Sequence, residues 1–132
     1  MSTKAKGSNA ERDIIHKLWA EGFAAIRSAG SGSMRYPSPD ILASKNGRIL
    51  AIECKITKNN SKYFEKQEIE DLKVFSEIFN AEATIAVKFK GHDWHFLSID
   101  DLKETDRLFV VDIGIAKQKG RVFEEFVRVP II

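Results

Sequence analysis

Asp40, Glu53 and Lys55 fall within sixteen residues of one another and are the side-chain types that phosphodiester cleavage requires. That reaction needs an activated water, a neutralised phosphoryl charge and a stabilised leaving oxygen. Two carboxylates can hold a hard divalent cation, and a lysine beside them adds a second positive charge. Magnesium suits such a pair because it takes carboxylate oxygens, keeps several waters and leaves positions open for substrate phosphate. Manganese is expected to substitute for it.

The element that would bring these residues together is a β-hairpin. Residues 40–45 and 48–56 read as strands joined by Asn46-Gly47, the dipeptide that best tolerates the positive φ angles of a type I′ turn. A two-residue turn fixes the register: Lys45 faces Arg48, every other pair of numbers also totals 93, and Asp40 lies opposite Glu53. Alternation then puts Asp40, Leu42, Ser44, Ile49, Ala51, Glu53 and Lys55 on one face and Ile41, Leu50, Ile52, Cys54 and Ile56 on the other. Opposed positions have Cβ atoms roughly 5 Å apart, and like charges there destabilise a sheet unless something neutralises them. A bound cation would do so. The competing reading is two solvent-exposed acids relieved by Lys55 in a surface ion pair, which leaves unexplained why Asp40 follows two prolines and a loop.

Glu11 is the third candidate acid. Positions 11, 15, 18 and 22 follow one helical stripe, so a carboxylate would stand at the end of a buried face. Ser8-Asn9-Ala10-Glu11 also matches a capping box, in which Glu11 would only satisfy a backbone N–H. His92 and His95 fit a hairpin better than a zinc site, His16 fits the surface of the first helix, and Cys54 fits the core. Tyr36, Tyr63 and Phe64 lie amid Arg35, Lys58 and Lys62 and could stack on nucleic-acid bases or anchor loops on the domain.

Around the hairpin, residues 8–22 read as a helix and 23–28 as a strand, while 30–39, rich in Gly, Ser and Pro, reads as a mobile loop. Residues 57–62 are polar and basic. A helix follows over 66–80, with Ile69, Leu72, Phe75 and Phe79 inward and Lys66/Glu70 and Lys73/Glu77 on its solvent face. Strands are expected over 83–89 and 94–97 about a turn at 91–93, and a short helix over 99–104. The tail holds apolar runs at 108–115, a strand, and 122–129, a strand or helix; Val110, Val111, Ile113, Phe123, Phe126 and Val129 there could form core or a subunit interface. This order indicates an α/β or α+β sheet flanked by helices. One domain over 1–132 is expected, with 1–7 flexible.

Composition narrows the class of partner. At 43% hydrophobic and 30% charged residues, the chain has the mix of a soluble globular protein, and no apolar run approaches a bilayer span. The single cysteine, Cys54, excludes an intramolecular disulfide and a cysteine-rich zinc site, and with no secretory signal a cytoplasmic location is expected. The net charge of +2 hides an asymmetry: residues 1–62 carry 11 Lys/Arg and 5 Asp/Glu, residues 63–132 carry 10 and 14. The basic half holds the candidate acids, which suggests a polyanion partner.

Pro39-Asp40, twelve residues, then Glu53-Cys54-Lys55 resembles the signature of the PD-(D/E)xK nuclease superfamily. The resemblance narrows with Gly7-Ser8-Asn9-Ala10-Glu11-Arg12, Gly22-Phe23-Ala24-Ala25-Ile26-Arg27-Ser28-Ala29-Gly30-Ser31, Ile52-Glu53-Cys54-Lys55, and Ala86-Val87-Lys88-Phe89 followed by Trp94. Read in order over residues 7–97, these resemble archaeal-type Holliday junction resolvases. The resemblance implies a restriction-endonuclease-like mixed sheet flanked by helices and a homodimer that nicks four-way junction DNA on opposed strands. It implies Glu11, Asp40, Glu53 and the Cys54 carbonyl as metal ligands, Lys55 as the residue that orients water, and Ser31 as a further catalytic residue. Arg12 and Arg27 match DNA-associated positions of that family; Arg35, Lys58 and Lys62 are assigned to phosphate contact from their charge. Two other readings stay open: a related nuclease acting on linear or damaged DNA, and a non-catalytic DNA-binding module with structural acids.

Overall fold

Asn46 and Gly47 take positive φ angles of 49° and 85°, the pair a type I′ turn demands and that these two residues reach at least cost. In this computed structural model, which describes residues 3–28 and 36–128, the turn joins β2 (Ile41–Lys45) to β3 (Arg48–Thr57). Lys45 pairs with Arg48 and Ile41 with Ile52, the register that the turn length requires. Alternation is kept as well. Ile41, Ala43, Leu50 and Ile52 enter one buried cluster, whereas Leu42 and Ala51 belong to the cluster on the opposite face.

Around this hairpin the chain builds a five-stranded sheet in the order β1-β2-β3-β5-β6. Helix α1 (Thr3–Ala20) leads into β1 (Ala24–Arg27), antiparallel to β2. β3 continues through β4 (Ser61–Glu65) and α2 (Lys66–Phe79) to β5 (Glu82–Phe89), which is parallel to β3. Parallel neighbours cannot be joined by a tight turn, so α2 is the crossover. β6 (Trp94–Ser98) returns antiparallel to β5, and after one 3₁₀ turn at Ile99–Asp101 come β7 (Lys103–Glu104) and β8 (Leu108–Asp112). A second sheet, β4-β8-β7, forms from these pieces, and α3 (Ile113–Lys119) and α4 (Phe123–Arg128) follow. Ile14 and Leu18 of α1 and Phe123 and Phe126 of α4 cover one face of the main sheet. Ile69 and Leu72 of α2, Ala116 of α3, and Phe64 and Val111 of the small sheet cover the other.

Several expectations need correction. α1 begins at Thr3, so residues 3–7 are helical and Ser8 lies inside the helix; Glu11 is therefore mid-helix and the capping-box reading falls. Phe79 is 47% exposed rather than inward, its ring stacked at 5.2 Å on that of half-buried Phe75. Lys66 pairs with Glu104 at 2.6 Å instead of serving an intrahelical pair with Glu70. The polar stretch 57–62 runs into a strand, β4, because Phe64 at 1% exposure anchors it to the core. In the tail, Asp112 accepts a hydrogen bond from the Ile115 N–H at 2.7 Å and starts a helix inside the apolar run expected as a strand. Of the loop at 30–39, residues 30–35 lie outside the described residues, as does Val129, and Tyr36 to Pro39 form no regular element.

Arg48 joins the hairpin to the end of the chain. Its Nε and Nη2 donate to the Glu82 carboxylate at 2.8 and 3.2 Å, and its Nη1 to the carbonyls of Phe126 and Val127 at 3.0 and 3.2 Å. The guanidinium also lies 5.1 Å from the Phe126 ring centroid. Replacing Arg48 by Ala leaves a half-buried carboxylate and two helix-end carbonyls without partners, so we expect a loss of about 2–3 kcal/mol in denaturant unfolding. An unchanged midpoint would show that this latch contributes nothing.

Candidate active site

Asp40 stands one residue before β2, where the hairpin ladder stops at the pair Ile41 and Ile52. Two contacts hold it there: its backbone carbonyl accepts from the Ser28 N–H at 2.8 Å, and its Oδ2 accepts from the Cys54 N–H at 2.8 Å. The carboxylate thus takes a β3 donor beyond the last strand pair, which turns it toward Glu53 on the next position of β3. The two carboxyl groups lie near enough for each to bear on the other's ionisation. The expected direct pairing of Asp40 with Glu53 is not formed, because the ladder ends at Ile41 and Ile52, and the two acids are brought near each other by the Asp40 side chain reaching the Cys54 N–H.

Their electrostatics follow from that closeness. Burial, then the charge of Asp40, pushes Glu53 up to about 8, with Lys55 opposing and Glu68 adding to the rise. Burial also raises Asp40, aided by Glu11 and opposed by the Cys54 N–H and Lys55. Burial and mutual repulsion thus make the pair resist full ionisation near neutral pH. Lys55 Nζ lies 3.9 Å from the Glu53 carboxylate and 3.5 Å from that of Glu68.

Glu11 projects from α1 toward the same end of the sheet, and its charge bears on both Asp40 and Cys54. Its Oε1, however, accepts from Arg27 Nε at 2.8 Å, with both side chains largely buried. Among the described residues no three His, Cys, Asp or Glu side chains already stand as a metal cage: Asp40 and Glu53 lie near each other, while Glu11 faces Arg27. Cys54 packs against the α1-side cluster, and burial first, then Asp40, Glu11 and Glu53, pushes its thiol well above the usual range. The side chain packs toward the core, and the backbone N–H of the same residue holds Asp40.

Of the basic candidates, Arg12 is exposed beside Glu11, its Nη1 3.4 Å from Asn9 Oδ1, and Lys58 is exposed after β3, whereas Lys62 on β4 is half-buried. Ser31 and Arg35 lie outside the described residues. Tyr36 and Tyr63 are 73% and 57% exposed, so stacking stays open to them, but Phe64 is core. His16 is exposed, and His95 Nδ1 sits 3.2 Å from the Asp93 carbonyl within the β5–β6 hairpin, with His92 at its turn. Glu68 is the site residue that sequence reasoning missed. It occupies the third position of α2 and its Oε2 accepts from the Glu65 N–H at 3.2 Å in a capping box. A capping pattern at 65–68 was readable, but not that the crossover places it against Lys55.

A mixed sheet of this order, with two buried acids beside a lysine at the end of its hairpin, defines a restriction-endonuclease-like nuclease domain. A bacterial homing endonuclease shares the fold at a TM-score of 0.51 and 15% identity, over 84% of this chain and 75% of the other. The chain belongs to the archaeal Holliday junction resolvase (Hjc) family, whose model matches residues 2–131. It is 40% identical over 129 residues to the crossover junction endodeoxyribonuclease Hjc of Archaeoglobus fulgidus, covering 92% of this chain and 95% of that one. The Hjc of Sulfolobus acidocaldarius is 39% identical over 131 residues, covering 97% and 90%. The solved structure of the A. fulgidus Hjc, a Holliday junction resolvase, superposes with a TM-score of 0.85 over 91% of this chain and 98% of that one, at 38% identity.

Proposed function

We propose that this chain is a magnesium-dependent endonuclease that resolves four-way DNA junctions by paired nicks. The observation that carries the reading is the buried pair of Asp40, held by the Cys54 N–H, and Glu53 beside Lys55 in a chain whose relatives are crossover junction endodeoxyribonucleases. The donors fit a hard cation: they are all oxygens, and the burial that disfavours their ionisation marks negative charge that the fold alone does not neutralise. Asp40, Glu53 and the Cys54 carbonyl would hold magnesium, or manganese in its place, with Glu11 as a further ligand. Bound there, the ion would supply charge neutralisation at the scissile phosphate and a water of lowered pKa.

The chain's own groups have separable tasks. The Cys54 N–H fixes the Asp40 carboxylate, so the acid is oriented before substrate arrives. Arg27 holds Glu11 in reserve next to the pair. Lys55 brings a fixed positive charge to within 3.9 Å of Glu53, where it can steady the pentacovalent phosphate and orient the attacking water. Arg12 and Lys58, exposed, and Lys62, half-buried, with Arg35, are assigned to backbone phosphates, with Ser31 as a further catalytic residue. Labelled four-way junction incubated with the protein and magnesium should yield symmetric nicks that leave ligatable duplexes. Cutting no faster than that of a linear duplex would refute junction selectivity.

Two symmetric nicks call for two symmetry-related sites, hence a homodimer. Val111, Phe123 and Phe126 of the tail are spent in the core, which argues against an interface there. The α2 surface is the better candidate, since Val74, Ile78 and Phe79 are 39%, 83% and 47% exposed on one helix. Ile26, 63% exposed, stands beside Leu42 on the same side of the sheet. Ile78→Glu should give monomers in analytical ultracentrifugation and turn paired nicks into independent single ones. A variant that still sediments as a dimer would place the interface elsewhere.

A further inference from the structure

Glu68 does more than its place in the helix requires. A capping box needs one carboxylate oxygen, and Oε2 fills that role by accepting from the Glu65 N–H at 3.2 Å. The other oxygen, Oε1, points to Lys55 Nζ at 3.5 Å, nearer than the 3.9 Å separating that ammonium from Glu53. The cap fixes the carboxylate, and the carboxylate faces the site. Glu68 and Glu53 also line one small cleft together with Pro37, Ser38, Pro39, Asp71 and Leu72, so Glu68 shares an opening with one of the two acids.

The charge balance around Lys55 explains what this second oxygen is for. Without a cation, the ammonium is drawn by two carboxyl groups. A divalent ion on Asp40 and Glu53 would cancel the attraction of Glu53 and repel Lys55, leaving a flexible four-carbon side chain with nothing to keep it over the reacting phosphate. Glu68 is outside the ion's donor set and is anchored to α2, so its hold would persist when that of Glu53 is lost. Resting on the endonuclease reading above, we propose that Glu68 is a positioning residue for cleavage: its carboxylate keeps the Lys55 ammonium at the site when the cation occupies Glu53. At 40% side-chain exposure for Glu68 and 25% for Lys55, solvent weakens the pair, and the effect is modest beside that of the acids themselves.

Glu68→Gln separates the two tasks, because glutamine serves a capping box as well as glutamate but carries no charge. Single-turnover cutting of four-way junction at saturating magnesium should fall about tenfold, with the magnesium half-saturation, the junction affinity and the melting temperature unchanged. Glu68→Asp, which restores the charge, should recover part of the rate. In the metal-free protein, acetylation of Lys55 by acetic anhydride, followed by mass spectrometry, should be faster in Glu68→Gln than in wild type. A wild-type rate in Glu68→Gln, or a raised magnesium half-saturation with the full rate recovered at excess ion, would overturn the inference; the second result would make Glu68 a cation ligand. So would a rate loss accompanied by a matching drop in melting temperature. Wild-type protein that does not cut at all would overturn the endonuclease reading, and this inference with it, whereas wild-type cutting with an indifferent Glu68→Gln overturns this inference alone.

Discussion

Asp40→Asn should abolish junction cutting, lowering the single-turnover rate on the order of 10³-fold or more, while the variant still binds four-way junction. Asparagine is the informative replacement because it keeps a carbonyl oxygen that can accept from the Cys54 N–H, now met by Asp40 Oδ2 at 2.8 Å. The end of β3 therefore stays capped and the hairpin register, pinned by Asn46 and Gly47, is untouched. What disappears is a full negative charge at the centre of the acid pair. Binding should survive, since it rests on basic residues elsewhere and removing an acid lessens repulsion of phosphate. The measurements are gel-shift titration of the junction and rapid-quench cleavage of the same preparation. Cutting within tenfold of wild type would show that Asp40 is a structural cap on β3 and no part of the chemistry; loss of both binding and cutting would point to misfolding.

That prediction could be framed from the amino-acid sequence because a short-range rule controls a long-range outcome. Two residues at 46–47 with positive φ set every pair of the hairpin, and the pairing continues until the strands separate, which is where Asp40 and Glu53 stand. The rule also explains where the reading was imperfect. Asp40 is one residue short of the ladder, so its contact with Glu53 comes through a side chain folded over the end of β3 rather than through ideal cross-strand geometry. Sequence periodicity found α1 and α2 but not α3, and it misjudged the start of α1 by five residues, since Thr3 to Gly7 carry no apolar stripe to announce them.

Glu68 and Phe79 were misread or missed for a common reason. Both belong to α2, whose position depends on the parallel pairing of β3 with β5, a contact between segments some thirty residues apart. No local pattern states that register. Before it is known, the start of α2 has no neighbour, and one cannot tell which of its apolar residues meet the sheet and which remain exposed. Buried Ile69 and Leu72 and exposed Phe79 fit the same amphipathic stripe on paper. Arg48 is a third case: nothing beside the turn announces its partners, Glu82 and the end of α4, which arrive from much later in the chain.

The electrostatic strain in the acid pair should be visible without any DNA. Glu53 sits at about 8 in the folded chain because burial and the neighbouring Asp40 charge disfavour its ionisation, against about 4.5 in the unfolded chain. Below the lower value both states hold the proton and the folded state has its full stability. Between the two values the unfolded chain has released a proton that the folded chain retains, so stability falls as pH rises, and above 8 the whole penalty applies. A shift of this size corresponds to several kcal/mol, on the order of 5. Metal-free protein should therefore melt at a distinctly lower temperature at pH 8.5 than at pH 5, and Glu53→Gln should flatten that slope and be the more stable protein at the alkaline end, although it cannot cut. Magnesium competes with the proton that Glu53 retains, so its stabilising effect through mass action should be larger at pH 8.5 than at pH 5. If wild type and Glu53→Gln show the same melting profile across that range, the acids are not strained against each other, and the pull for a cation at this hairpin would have no electrostatic source.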